Sequence, residues 1–351
     1  MQMCTDECIQ GIPERKYHES KRCRCSRMHR MIRMQHKELP GWFYRLLLIV
    51  ATVIWGGNFV VSKTAVDAIG ATWAIGIRFT AAGILMLLVL APHMKKHLNK
   101  ELVKAGCIIG IFSFLGYWTQ YLGLEGTTPA KNAFLSTCYC ITVPFIWWVV
   151  AKRRPTKRNL IAAAICVTGM GFITLQGDLG MSWGDGFSIL SAFMYGAEIV
   201  AIAYFIRNHD IVAITAIQML SSGILGCVLG LATGQPLSVT QLTDPWLIAA
   251  MAYIVLLASI FASTAQNLAQ THVPPAEASL LFALESVFGT IFSTMFYGEI
   301  ITPQLLLGFA LVFVAILVSQ LWPKKKAEPS ADAEKPTKTE EPARTQEPRV
   351  S

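Results

Sequence analysis

Two glutamates and an arginine lie inside long apolar stretches of this sequence, and they have the most chemistry to offer. Glu285 falls about midway along one such stretch, Glu198 in another and Arg78 in a third. A charged group at bilayer depth costs at least ~2.5 kcal/mol on insertion scales, so each needs a partner, water or a function. Glu285 could hold a coupling proton or meet a substrate amine; the plainer alternative is a helix–helix hydrogen bond. Glu277, Leu281 and Glu285 recur every four residues, which predicts one shared helix face, with Glu277 solvated near the cytoplasmic end. Arg78 could clamp a carboxylate with two prongs, although pairing with an internal acid is the stronger expectation. Asn58, Gln120 and Gln266 could contact a substrate or tie helices together. Trp55 and Tyr139, with Trp73, Tyr117, Trp118 and Tyr121, could line an aromatic site, while aromatics near span ends are expected to anchor at the interface. Lys63 and Lys131 are expected to snorkel from the outer ends of their spans.

The elements that must position these residues are membrane helices. Hydrophobic residues make up 53% of the 351-residue chain and charged ones only 15%, against roughly 25% charged in an ordinary soluble domain. The apolar runs are about 20 residues long and continuous, without the alternation of barrel strands. Loop punctuation by Pro and Gly gives ten predicted spans: 43–62, 71–91, 103–123, 130–150, 159–176, 185–206, 211–233, 245–269, 276–297 and 303–322. Residues 1–40 are a basic tail and 323–351 a Lys-, Glu- and Pro-rich tail, both expected to be disordered. Cys4, Cys8, Cys23 and Cys25 in the first tail lack zinc-finger spacing. Met28, Met31 and Met34 are alternative starts, and the first span is too long for a cleavable signal peptide.

Lysines and arginines set the orientation. Lys95, Lys96, Lys100 and Lys104 share one loop; Lys152, Arg153, Arg154, Lys157 and Arg158 share another; Arg207 and Lys324 to Lys326 mark two more. The alternate loops carry Asp67, Glu125, Asp178, Asp244 and Glu299. With ten spans and both termini cytoplasmic, every basic loop falls on the cytoplasmic side.

The sequence also matches itself. At an offset of 140, Asn58 falls on Glu198, Arg78 on Gln218 and Gly83 on Gly223; after a longer loop the offset is 146 and Gln120 falls on Gln266. This predicts two five-helix repeats, 41–176 and 177–322. Five is odd, so the second copy enters the membrane from the opposite side, as in carriers built for alternating access.

In these motifs the chain resembles the EamA-type carriers of the drug/metabolite transporter superfamily. The resemblance runs from Phe43 to Trp322 and rests on Trp55-Gly-Gly-Asn-Phe59 with Lys63, Arg78-Phe79, Leu135 to Pro144, Leu284-Glu-Ser-Val287 and Tyr297-Gly-Glu299. Ser286 stands where the family usually has proline, which removes the usual cause of a kink there. The resemblance implies export or uptake of small organic metabolites, often amino acids, across a plasma membrane.

Other classes fit less well. The net charge of +8 sits beside apolar spans, where it meets headgroups, so nucleic acid is not an expected partner. No G-x4-G-K-[ST] loop for a nucleotide is present, and no cofactor is expected. An intramembrane enzyme would need clustered His, Asp or Glu, whereas His93, His97, His209 and His272 are expected in loops with no metal-ligand motif. An uncoupled channel or uniporter is the nearer alternative. The expected partners are a small-molecule substrate and the lipid bilayer, and a homodimer is compatible with the fold.

Overall fold

A computed structural model of the chain describes residues 40–321, except 153, 175–181, 235, 236, 238, 299 and 301. Both predicted tails, and Asp178 and Glu299 from the orientation argument, lie outside the described residues.

The described residues form helices and no strands. They run in the order α1 (Gly41–Ile69), α2 (Ala71–Val89), α3 (Ala91–His97), α4 (Lys100–Gly126), α5 (Pro129–Ser136), α6 (Tyr139–Ala151), α7 (Lys157–Thr174) and α8 (Trp183–Phe205). Then follow α9 (Ile211–Ala232), α10 (Val239–Leu242), α11 (Pro245–Tyr253), α12 (Ala262–Gln270), α13 (Pro275–Phe282), α14 (Leu284–Tyr297) and α15 (Pro303–Leu321). Helix is forced by the solvent, since lipid offers no hydrogen bonds and every backbone group must be satisfied within its segment. Eight spans are long and apolar enough to cross a bilayer, counting α5–α6, α11–α12 and α13–α14 as one each. The fifth and tenth predicted spans correspond to α7 and α15, which pack on each other. Eight of the ten predicted spans therefore stand among the described residues by length and apolarity, and α7 and α15 are the helices at the other two predicted positions.

The distribution of polarity is that of an all-α integral membrane protein. Leu88, Val89, Val149, Leu231, Ile248 and Phe296 are exposed, whereas Arg78, Glu198, Gln218, Asn267 and Glu285 are buried. Ends of spans are capped by side chains: Asn99 accepts from the Leu102 N–H, Asp210 from that of Ala213, and Ser182 and Asp185 cap each other's backbone. Gly70, with φ of 77°, turns the chain between α1 and α2 in a conformation that favours glycine.

Contacts come in exchanged pairs. A Cβ on Gly83 would sit 2.7 Å from the Leu220 backbone, and one on Gly223 would collide with the backbone nitrogen of Thr80. Adding 140 to 83 gives 223, and subtracting it from 220 gives 80, so the two contacts are one contact repeated. The Arg78 Nε donates to Ser259 Oγ at 2.7 Å, and the equivalent Gln218 Nε2 donates to Ser113 Oγ, equivalent to Ser259, at 2.8 Å. This exchange is what a twofold axis between the halves requires. It lets α2 and α9 approach closely through glycine, which gives van der Waals packing its strength in lipid.

Two spans are broken at matching places. The fourth stops at Ser136 and resumes at Tyr139; the ninth stops at Phe282 and resumes at Leu284. Thr137 and Ala283, in the breaks, are equivalent by the 146 offset. Proline is not the cause in the ninth: Ser286 donates both its N–H and, at 2.7 Å, its hydroxyl to the Ala283 carbonyl. The break places Glu277 and Glu285 on separate helices, α13 and α14. Glu277 instead bonds Arg45 at 2.6 Å, at the start of α1.

Between α11 and α12, residues Ile254–Phe261 form wider, π-type turns. Such turns loosen the backbone hydrogen-bond ladder and often occur at functional sites. Here the indole N–H of Trp55 donates to the Ala258 carbonyl at 2.8 Å, and Arg78 takes the neighbouring Ser259 hydroxyl.

Candidate functional site

The broken spans, α1, α4, α8 and α12 enclose a cavity at the centre of the bundle. Its walls are Trp55, Asn58 and Phe59 from α1, Tyr117 and Gln120 from α4, and Tyr139 from α6. The second half adds Tyr195, Glu198 and Ile199 from α8, Gln266 from α12, Phe282 and Glu285. Every one of these side chains is buried. The free volume is about 40 Å³, room for a few waters at most, since one water needs roughly 10–15 Å³ on this measure.

Glu285 is the second residue of α14, just after the break, and its Oε1 accepts from the Tyr139 hydroxyl at 2.8 Å. Tyr139 opens α6 directly after the other break, and 139 plus 146 is 285. The two residues are therefore equivalent positions meeting each other. Glu198 is held on the opposite wall, where its Oε1 accepts from Ser113 Oγ and from Gln218 Nε2 at 2.9 Å. Gln218 is fixed in turn by Asn267, whose amide donates to Gln218 Oε1 at 3.1 Å and to Thr215 Oγ1 at 2.7 Å. Gln120 accepts from the Tyr195 hydroxyl at 2.8 Å.

Arg78 is fully buried one layer behind the wall. Its Nη1 donates to the Tyr121 hydroxyl at 2.7 Å, and its Cζ lies 4.5 Å from the Tyr117 ring centre and 4.8 Å from that of Phe79. No carboxylate pairs with it among the described residues, so the expected internal ion pair is replaced by hydroxyl acceptors and ring faces. Its Nη2 and the Oδ1 of Asn58 are buried without partners.

Trp55, Asn58, Gln120, Tyr139, Glu198, Gln266 and Glu285 thus share one wall-to-wall cavity, and Arg78 supports it through Tyr117. Lys63 lies apart, bonding Asp67 at 2.9 Å and the Leu124 carbonyl at 2.8 Å. Lys131 bonds buried Asp185 at 2.8 Å. Sequence reasoning overlooked Phe59, Ile199 and Phe282, which carry no polar signal, and Gln218, whose match to Arg78 was the available clue.

A helical membrane bundle with a polar, aromatic-lined centre shared by two matching halves is an architecture that secondary transporters use. The chain belongs to the EamA-like transporter family, whose pattern matches residues 42–175 and again 182–320. An uncharacterized transporter of Archaeoglobus fulgidus is 28% identical over 274 residues, covering 78% of this chain and 84% of the relative. The uncharacterized inner membrane transporter YedA of Escherichia coli K12 is 26% identical over 308 residues, covering 83% of this chain and 96% of its own. A protein of known crystal structure superposes with a TM-score of 0.64 over 79% of this chain and 96% of its own; at 13% identity it speaks to the fold alone.

Proposed function

We propose that this membrane transporter is a secondary carrier, moving a small organic metabolite that carries an amino group, of the amino-acid kind, by alternating access. The observation that carries the reading is the Tyr139–Glu285 contact, made by equivalent residues at the broken points of two spans inside one cavity. Broken spans at a repeat interface are where carriers of this architecture bind cargo. Repeats 41–176 and 177–322 would exchange conformations around that contact, opening the cavity to one side and then the other.

The chemistry of the walls favours an amine. Glu285, Glu198 and the unpartnered Asn58 Oδ1 are acceptors, and Trp55, Phe59, Tyr117, Tyr139 and Tyr195 supply faces that attract cations. A proton on Glu285 would compete with a substrate ammonium for one carboxylate, which couples the two by exclusion. The basic loops around Lys95 and Lys157 support cytoplasmic termini, and the bacterial relative named as an inner membrane transporter supports residence in a plasma membrane.

The test is uptake and counterflow in proteoliposomes with a pool of labelled amino acids and amines, with and without an imposed pH gradient. Trans-stimulated, gradient-driven accumulation is the expected result. Flux without trans-stimulation would point to a channel or uniporter, and no flux of any compound would overturn the carrier reading.

A further inference from the structure

Far from the central cavity, the structure gathers three metal-ligating side chains that the sequence scatters. His93 and His97 sit one turn apart on α3, and Asp210 caps α9, more than a hundred residues later. One ligating atom of each lies within 4.8 Å of the others. His93 Nε2 is 2.8 Å from Asp210 Oδ1, and the two imidazole rings are 4.3 Å apart, centre to centre. The histidines are on a short helix rather than in a loop, so the i, i+4 spacing directs both rings to one side.

We propose that His93, His97 and Asp210 form a binding site for a divalent transition-metal ion of the zinc class, joining the end of the second span to the start of the seventh. Two imidazoles and one carboxylate suit Zn²⁺, Co²⁺ or Ni²⁺ better than Mg²⁺ or Ca²⁺, which prefer oxygen ligands throughout. The geometry already contains an outer shell. His97 Nδ1 bonds the His93 carbonyl at 3.0 Å, which fixes the ring and leaves its Nε2 for a metal. Asp210 is steadied by the Ala213 N–H at 2.9 Å.

The site is built on a rigid pair. Helices α2 and α9 are locked by the Gly83–Leu220 and Gly223–Thr80 contacts, and α3, which carries the histidines, follows α2 after Leu90 and packs on α9 itself. Binding would replace the hydrogen bond between His93 and Asp210 by two bonds to the ion, with water completing the coordination and any shared proton released. The ion would act as a staple across the two halves of the chain. This site stands apart from the transport reading and does not depend on it.

The experiment is a cobalt(II) titration of the full chain in detergent, read by visible absorption, with His97→Ala and Asp210→Asn alongside. Asparagine keeps the helix cap, so the second variant tests ligation without removing the cap. The expected result is one equivalent of Co²⁺ with weak d–d bands and no intense thiolate charge-transfer band, which excludes the amino-terminal cysteines. Each variant should weaken binding by more than about tenfold. Zinc should displace the cobalt and raise the melting temperature of the wild type but of neither variant. Equal cobalt binding and an equal zinc response in all three proteins would overturn the proposal and leave a histidine–aspartate hydrogen bond only.

Discussion

Tyr139 and Glu285 hold equivalent positions in the two halves of the chain, and the hydroxyl of one donates to the carboxylate of the other at 2.8 Å. A point where equivalent residues meet lies on the axis relating the halves. Glu285 therefore lies beside the axis that relates the halves.

The first prediction concerns that pair. Glu285→Gln should abolish accumulation driven by a pH gradient while the protein still folds, because glutamine keeps the shape and loses the exchangeable proton. Tyr139→Phe removes one buried hydrogen bond, about 0.5–1.5 kcal/mol, and should slow counterflow by a few-fold, up to about tenfold. Normal accumulation with unchanged pH dependence in Glu285→Gln would remove that residue from coupling.

Matching contacts need not be equally strong. Arg78–Ser259 and Gln218–Ser113 are the same contact in the two halves, but only the first has a charged donor. Double-mutant cycles on thermal unfolding in micelles should give about 1.5 kcal/mol or more for Arg78→Met with Ser259→Ala. For Gln218→Ala with Ser113→Ala the coupling should be about 0.6 kcal/mol, the average for membrane helices. Equal coupling energies would contradict the charge argument.

Close packing of α2 on α9 predicts a steep size limit. Gly223→Leu would drive a side chain into the Thr80 backbone and should destabilise the protein by at least about 1–3 kcal/mol, the usual cost of overpacking. Gly186→Ala meets nothing within 4 Å and should be neutral or stabilising by about 0.5–1 kcal/mol within its helix. Melting temperatures of the two variants in one detergent check both statements.

Ion pairs at different depths should behave differently. The Asp185 side chain is fully buried against Lys131, so Lys131→Met leaves a buried charge without its cation and should cost about 3 kcal/mol or more. Asp185 keeps donors from Thr127 and the Ser182 N–H, which holds the loss near the lower end. Arg45 is 45% exposed against Glu277, and Arg45→Met should cost under about 1 kcal/mol. Denaturation in mixed micelles separates the two.

Much of this was readable before folding. Lipid demands apolar length, so the spans stand out, and a polar residue such as Glu198 or Gln266 in an apolar run is conspicuous for the same reason. The offset then paired Gln120 with Gln266 and Asn58 with Glu198. What stayed hidden depends on direction and distance. Lipid and protein core are equally apolar, so nothing marks Phe59 or Phe282 as facing inward. Arg78 found hydroxyls because the widened turns at Ile254–Phe261 brought Ser259 to it, and no residue type signals such turns. The breaks at Thr137 and Ala283 contain no proline, and the meeting of His93 with Asp210 follows only from how α2 lies on α9.

The narrowness of the central cavity has an electrical side. About 40 Å³ between buried side chains holds a few waters at most beside Glu198 and Glu285. An ion entering that space would shed most of its water shell, which is costly among apolar walls. Under the alternating-access reading, a membrane sustaining a voltage could hold many copies with little leak, since each turn would widen that space toward one side only.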